Sequence, residues 1–178
     1  MRHELHVTIP PDEFGRVREM RVRGVRWHLF HNYCADGHVV VDCMSSEEVQ
    51  GNDDAAMLAL EMRVKMLESS GFSVLRAKIE AEPWRTGKTM YLETHMRVVG
   101  GVYGVLPHDL ALFSMQSTTR SWSATIRSAT SRAAHDARVH EIIVSLNAAH
   151  SIYVVSPPTT ETVWHDTNLA HDDEWSKR

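Results

Sequence analysis

Apolar and polar residues alternate most regularly between residues 74 and 99. The first arm of this stretch places Leu75, Ala77, Ile79 and Ala81 on one face and Arg76, Lys78, Glu80 and Glu82 on the other. The second arm opposes Met90, Leu92, Thr94, Met96 and Val98 to Tyr91, Glu93, His95, Arg97 and Val99. A period of two predicts β-strands, and the intervening P-W-R-T-G-K-T is rich in turn formers. The stretch therefore predicts a β-hairpin with one apolar and one strongly polar face.

The N-terminal half predicts the element order strand, helix, strand, strand, helix, strand. The predicted strands are residues 3–9, 25–33 and 38–44 and the first arm of the hairpin, and the predicted helices are residues 12–23 and 53–70. Asn52 or Asp53 can cap the second helix, and Gly71 stands where a left-handed C-cap belongs. This βαββαβ order is that of the ferredoxin-like split βαβ fold. The predicted fold class is therefore α+β, with an antiparallel sheet and both helices on one face.

The C-terminal half predicts a second, looser series of elements. It comprises a short helix at residues 107–115, a strand at 121–130, a helix from Asp136 to about residue 149 and a strand at 151–155. We expect the sheet to be extended, or the first unit to be imperfectly duplicated. The tail at residues 157–178 carries Trp164, Leu169 and Trp175, which predicts that it docks on a single domain spanning residues 1–178.

Composition narrows the class of protein. A chain of 178 residues with 43% hydrophobic and 24% charged residues is typical of a soluble globular domain. A net charge of -4 argues against nucleic acid and anionic membranes as partners. No run reaches the roughly 20 apolar residues that span a bilayer, and Cys34 and Cys43 lack a metal-binding or redox spacing. We expect reduced thiols and a cytoplasmic location, with Cys43 in the core.

The polar face of the predicted sheet carries residue types suited to holding an anion. We expect it to be exposed and to present His6, Lys78, Glu80, Glu93, His95 and Arg97, with Thr8 and Tyr91 as further ligand contacts. Histidine titrates near neutral pH, and Lys and Arg donate to phosphate oxygens. His6 and His95 would transfer protons, Lys78 and Arg97 would clamp the anion, and Glu80 and Glu93 would orient the histidines. The predicted function is binding or hydrolysis of a small phosphorylated or otherwise anionic ligand.

Other uses of the same residues remain open. A divalent metal held by His6, Glu93, His95 and Glu80 is chemically admissible, but nothing in the spacing demands it, and no cofactor is predicted. A non-catalytic interaction or self-association module could use the same face or a sheet edge. The G-K-T at residues 87–89 is not a phosphate loop, because Glu82 stands where that motif requires glycine.

Two short motifs resemble a known enzyme family. The segment H-V-T-I begins at His6 and the segment H-M-R-V begins at His95. They resemble the paired motifs of the two-histidine phosphoesterases, whose histidines act as general acid and base on a phosphodiester. The first segment fits the motif, whereas Arg97 stands where the second motif has Thr or Ser. The resemblance implies that His6 and His95 are catalytic.

Longer segments resemble a second group of proteins. R-A-K-I-E-A-E-P at residues 76–83, Y-L-E-T-H-M-R at residues 91–97 and the late W-H-D-T-N are similar to those of an uncharacterised bacterial and eukaryotic group. That group shares K-I-E-A-x-P followed by Y-F-E-x-H-V-K, and Leu92 replaces its usual Phe here. This resemblance spans most of the chain and implies no activity.

Overall fold

A computed structural model of the chain shows an α+β fold with mainly antiparallel strand pairing, which confirms the predicted class. The structure describes residues 1–33, 39–83, 87–100, 110–114, 121–128, 131–149 and 152–171. The chain divides into two compact units. Unit 1 comprises Met1–Phe30, Val41–Met90 and Thr162–His171, and unit 2 comprises His31–Val40, Tyr91–Glu161 and Asp172–Arg178. The single-domain assignment stays a prediction.

Nine strands and three α-helices form within the described residues. The strands are β1 (Arg2–Ile9), β2 (Arg26–Tyr33), β3 (Val39–Gln50), β4 (Arg76–Ala81), β5 (Tyr91–Gly100), β6 (Leu110–Ser114), β7 (Ser121–Ser128), β8 (Ile152–Val154) and β9 (Thr159–Asp166). The helices are α1 (Phe14–Glu19), α2 (Asp53–Ser69) and α3 (Arg132–Ala149), with short 3-10 turns at Pro11–Glu13 and Leu169–His171.

Unit 1 is built around β1. Antiparallel ladders join β1 to β3 on one side and to β4 on the other, and β9 pairs with the outer side of β4. The alternate residues Leu5, Val7 and Ile9 of β1 are at most 1% exposed and join a core with α2. Strand and helix therefore bury one shared apolar layer, as the period of two predicts.

Helix α2 follows its sequence signals closely. The Asn52 side chain accepts a hydrogen bond from the Ala55 N–H at 3.0 Å, which is the predicted N-cap. Gly71 follows the helix with φ of +77°, a left-handed conformation that glycine adopts without steric cost. Leu60 and Leu67 are buried in the core, as their spacing predicts.

Unit 2 is centred on β5 and β7. These two strands pair antiparallel from Leu92↔Ser128 to Val99↔Ser121, while β6 pairs with β7 and β8 pairs with β5. Buried apolar residues of β5, β6 and β7 pack with α3 in a second core, whose members are Met96, Val98, Leu110, Leu112, Ala124, Ile126, Val139, Ile142 and Leu146.

The predicted hairpin does not form. Its first arm, β4, lies between β1 and β9, and its second arm, β5, forms ladders with β7 and β8. The two arms were correctly predicted as strands, but their pairing was wrong because β9, from the predicted tail, occupies the free side of β4. Part of the predicted turn, residues 84–86, lies outside the described residues.

One element differs from the sequence predictions in type, and two differ in where they end. Residues 110–114 form β6 and not a helix, because Leu110 and Leu112 alternate into the core and pair with β7. Helix α1 ends at Glu19, well before residue 23, and Arg21 then takes a positive φ of 46°. Strand β3 continues to Gln50 because its second half pairs with β1.

Candidate functional site

Residues of opposite charge face one another across β1 and β4. Directly opposed residues of an antiparallel ladder point to the same face. The ladder opposes Glu4 to Glu80, His6 to Lys78 and Thr8 to Arg76. We call these six residues the β1–β4 polar face. The predicted site residues His6, Thr8, Lys78 and Glu80 therefore lie together in unit 1, whereas Tyr91, Glu93, His95 and Arg97 belong to unit 2.

The β1–β4 polar face is buried, which corrects the expectation of an exposed face. His6, Thr8, Arg76, Lys78 and Glu80 are 2–7% exposed, and Glu4 is half-buried. Burial of ions is costly unless each charge meets a partner. Every charged group on this face has such a partner, so a strand that reads as amphipathic is buried on both sides.

His6 is held through both ring nitrogens. Its Nδ1–H donates to the Ser45 backbone carbonyl at 3.0 Å, and its Nε2 lies 3.0 Å from Oε2 of Glu80. Desolvation lowers the pKa of this imidazole, but the charge and hydrogen bond of Glu80, with Glu4 beyond, outweigh desolvation and the nearby Lys78, so the pKa is raised. His6 therefore favours the imidazolium form, which donates from both nitrogens.

Glu80 is shared by two cationic side chains. Its Oε1 lies 2.5 Å from the Nζ of Lys78, and its Oε2 accepts from His6. Glu4 approaches the same imidazole, with Oε1 at 3.9 Å from Nε2, and accepts a short hydrogen bond from the Ser46 hydroxyl. Glu80 therefore contacts both Lys78 and His6, and its role in orienting His6 stays a prediction.

A metal-ligating set lies inside this cluster. One donor atom each from Glu4, His6 and Glu80 lies within 4.8 Å of the others. An imidazole with two carboxylates is a ligand set for a divalent ion. Two of these residues, His6 and Glu80, belong to the metal-binding set predicted from the sequence. Glu4 was not part of that set.

Arg76 of the β1–β4 polar face forms a second buried ion pair, with Asp166. Arg76 donates from Nε and Nη2 to the carboxylate of Asp166 on β9, with the closest contact at 2.7 Å. Asp166 was not among the predicted site residues, because residues 157–178 were predicted to be a tail docked on the domain. The run T-T-E-T-V-W at residues 159–164, rich in β-branched residues, was the available signal for a strand.

In unit 2, the predicted residues Glu93 and His95 lie close together. The Nε2 of His95 lies 3.6 Å from Oε2 of Glu93 and 3.5 Å from Oε2 of Glu161, and Nδ1 is hydrogen-bonded to the Thr125 hydroxyl at 2.8 Å. The His95 side chain is 32% exposed, whereas that of Glu93 is 4% exposed. Glu93 and Glu161 therefore both lie near the His95 ring, and Glu161 was not among the predicted site residues.

Tyr91 and Arg97 differ sharply in environment. Tyr91 is 2% exposed, and the Arg127 guanidinium lies 4.0 Å from the centre of its ring, a cation–π contact. The Arg97 side chain is exposed, and its backbone N–H donates to the Ser156 hydroxyl.

Unit 2 also contains a buried histidine that the sequence analysis did not single out. His135 on α3 is 0% exposed, and its Nε2 and Nδ1 lie 2.7 Å from the Thr94 hydroxyl and 2.5 Å from the Ser128 hydroxyl. Thr94 in turn contacts the Thr160 hydroxyl at 2.8 Å. A polar Thr94 on the apolar face of its strand was the signal, but the predicted helix began at Asp136 and left His135 outside.

Comparisons with family models, curated proteins and solved structures find no match to this chain. None of the helices in the described residues is long and apolar enough to cross a membrane.

Proposed function

We propose that the protein binds a small anionic ligand, with a phosphate group as the recognised chemistry, at the β1–β4 polar face. The observation that carries the proposal is the buried Lys78–Glu80–His6 arrangement, in which two cationic side chains converge on one carboxylate. A phosphate oxygen is also an anionic acceptor, so it can replace a Glu80 oxygen against the same donors.

The energetics favour a binding role over a purely structural one. Buried ion pairs contribute little net stability compared with apolar residues of similar size, because desolvation offsets the Coulomb attraction. Perturbed, buried ionisable groups occur preferentially at functional sites. The β1–β4 polar face and its partner Asp166 together bring three basic side chains against three carboxylates.

Hydrolysis of the bound ligand is the catalytic form of this proposal. The raised pKa of His6 favours its protonated form, which is the form of a general acid. The pairing of His6 with His95, and the roles of Arg97, Tyr91 and Thr8 as ligand contacts, stay predictions. They are supported by the resemblance to two-histidine phosphoesterases and not by a family match.

Binding is tested by calorimetry with inorganic phosphate, pyrophosphate and a 2′,3′-cyclic nucleotide. We expect Lys78→Met to abolish binding, and Lys65→Met, which removes an exposed lysine of α2, to leave it unchanged. Lys78→Gln also removes the charge, with a polar side chain in its place, and serves if Lys78→Met does not fold. Wild-type protein that binds none of the three anions, or Lys78 variants that bind as wild type does, would sink the proposal.

The hydrolysis arm uses the cyclic nucleotide as substrate. We expect His6→Gln to abolish turnover, while exposed His140→Gln on α3 retains it. If the wild-type protein binds the cyclic nucleotide but does not hydrolyse it, the binding proposal stands and the hydrolysis proposal is rejected.

The finer fold assignment belongs to the same proposal. The sheet order β2-β3-β1-β4, the antiparallel pairing of β1 with β3 and with β4, and the element order βαββαβ support a ferredoxin-like unit. The strands, helix and strand from β6 to β8 support the extension of this unit in the C-terminal half. A cytoplasmic location is supported by the free, buried thiol of Cys43.

Self-association is the competing function. Exposed apolar side chains in and beyond β8, Tyr153 at 56% and Val155 at 53%, favour it. Light scattering of wild-type protein and of Tyr153→Ser with Val155→Ser decides: a dimer lost in the double variant supports self-association, and a monomer throughout removes it.

A further inference from the structure

The Glu4–His6–Glu80 cluster has the organisation of a metal site and not only of an ion-pair network. In proteins, a metal-ligating imidazole usually donates its other N–H to a carbonyl or carboxylate, which fixes the ring and directs the remaining nitrogen at the metal. His6 shows this arrangement, because Nδ1–H donates to the Ser45 carbonyl and Nε2 faces both carboxylates.

The carboxylates are also supported from outside the cluster. The Ser46 hydroxyl donates to Oε1 of Glu4, and β1 and β4 set Glu4 directly opposite Glu80. Serine and backbone carbonyl are thus the outer contacts that orient the Glu4 and His6 donors. These supports come from β3, so three paired strands fix the donor atoms.

We propose that Glu4, His6 and Glu80 bind a divalent transition metal ion, with His6 coordinating through Nε2 in its neutral form. One imidazole and two carboxylates suit Zn²⁺ and Mn²⁺, whereas Mg²⁺ prefers oxygen ligands alone. Three protein ligands leave further coordination positions for water or for a ligand oxygen, as in catalytic metal sites.

The metal changes the role of Lys78. The ammonium of Lys78 lies 2.5 Å from Oε1 of Glu80, and a doubly charged ion bound by the same carboxylate repels it. The displaced ammonium and the metal then form a joint cationic site for one phosphate group. This second step rests on the proposed anion binding, whereas metal binding by itself does not.

Metal binding and phosphate binding can be measured separately. Chelator-treated protein is titrated calorimetrically with ZnCl₂ and with MnCl₂ in the absence of any phosphate. We expect one ion per chain, with affinity at least about tenfold lower in Glu4→Gln, Glu80→Gln and His6→Gln. Glu68→Gln is the matched control, because Glu68 is an exposed carboxylate of α2, and it should bind as wild type does.

Folding of each variant is checked by circular dichroism. Glu4 is the least buried of the three ligands, so Glu4→Gln keeps the test informative if the other two do not fold. No binding of either ion by the wild-type protein, or equal affinity in Glu4→Gln and Glu68→Gln, overturns the metal site.

The anion step is then measured with inorganic phosphate, with and without saturating Mn²⁺. We expect Mn²⁺ to tighten phosphate binding by about tenfold, and phosphate to tighten Mn²⁺ binding by the same factor, since coupling is reciprocal. Metal binding with no phosphate binding keeps the metal site and rejects the anion function. Phosphate binding with no metal binding does the reverse.

Discussion

At the scale of single residues, burial determines how much stability is lost when one partner of an ion pair is removed. Arg76–Asp166 and Arg132–Asp136 have the same chemistry and similar Nε contacts to carboxylate oxygens. The first pair is at most 4% exposed and the second about half exposed. Removal of one partner from a buried pair leaves the other charge buried without a counter-charge. In an exposed pair, water solvates the remaining charge.

We therefore expect Asp166→Asn to lower the free energy of unfolding by about 3–5 kcal/mol. Asp136→Asn should cost below about 0.5 kcal/mol. Urea unfolding of both variants measures the contrast, and equal effects would contradict the burial argument.

His6 and His165 should give pH dependences of opposite sign. The pKa of His6 is raised in the folded state, so its contribution to stability is complete below the unfolded-state value of about 6.5 and is lost as pH rises through the raised pKa. Desolvation lowers the pKa of His165. The charge of Lys88 also lowers this pKa, whereas the charges of Asp166 and Glu61 raise it by less, so the pKa is lowered overall. Its contribution is complete above about 6.5 and is lost as pH falls through the lowered pKa.

The measurement compares unfolding free energies of wild type with those of His6→Gln and of His165→Gln across pH 5–8, a range of roughly 1.5 units on either side of 6.5, with a chelator present. The wild-type advantage should shrink with rising pH for His6 and grow for His165. Parallel curves for the two variants would contradict the assignment.

Cys43 is a further residue whose environment sets its chemistry. Burial, with Asp42 and Glu13 nearby, raises the pKa of its thiol to about 12, and thiolate is the reactive form. We expect a Cys34→Ser chain to show no reaction with a disulfide reagent at about pH 8 until denaturant is added. Rapid labelling of the folded chain would contradict this.

At the scale of elements, the sequence predicted those whose signals are local. The α2 helix has its cap, its apolar stripe and its terminal glycine in the sequence, and all three function as predicted. Strand β6 has only five residues, so its pairing with β7 outweighs its local preference. Pairing partners were not predictable, since β9 contacts β4 from about 80 residues away along the chain.

The N-cap of α2 provides a test at this scale. Asn52→Ala removes the acceptor for the Ala55 N–H and should lower the free energy of unfolding by about 1 kcal/mol, while Asn52→Asp should be close to neutral. Urea unfolding measures both variants. An Asn52→Ala variant as stable as wild type would show that water replaces the cap without cost.

The candidate site shows the same division between local and distant information. Its members on β1 and β4 follow from the period of two, and the pairing of His6 with Glu80 was anticipated. Glu161, Asp166 and His135 were missed because each reaches its partner through tertiary contacts. Burial of the polar face could not be predicted, because charged side chains read as exposed until their partners are known.

At the scale of the whole molecule, both units depend on residues late in the chain. Strand β9 supplies Glu161 to unit 2 and Trp164 and Asp166 to unit 1. Trp164 is 7% exposed and belongs to the unit 1 core.

We expect a chain that ends at residue 158 to lose cooperative thermal unfolding. It leaves Arg76 buried without Asp166 and opens the core at Trp164, and each change alone costs about 3–5 kcal/mol, a large part of total stability. Circular dichroism on heating is the measurement. A cooperative transition near that of the full chain would show that β9 is dispensable.

The hydrogen bonds of Ser45 link the His6 ring to a backbone amide. Between the pairs Leu5↔Glu47 and Thr8↔Met44, the Val7 N–H donates to the Ser45 hydroxyl while the Ser45 carbonyl accepts from His6. One serine therefore couples the imidazole to a main-chain amide. The Val7 nitrogen–proton resonance in NMR should shift when His6 changes its protonation or gains a ligand, so this amide reports on the site without a label.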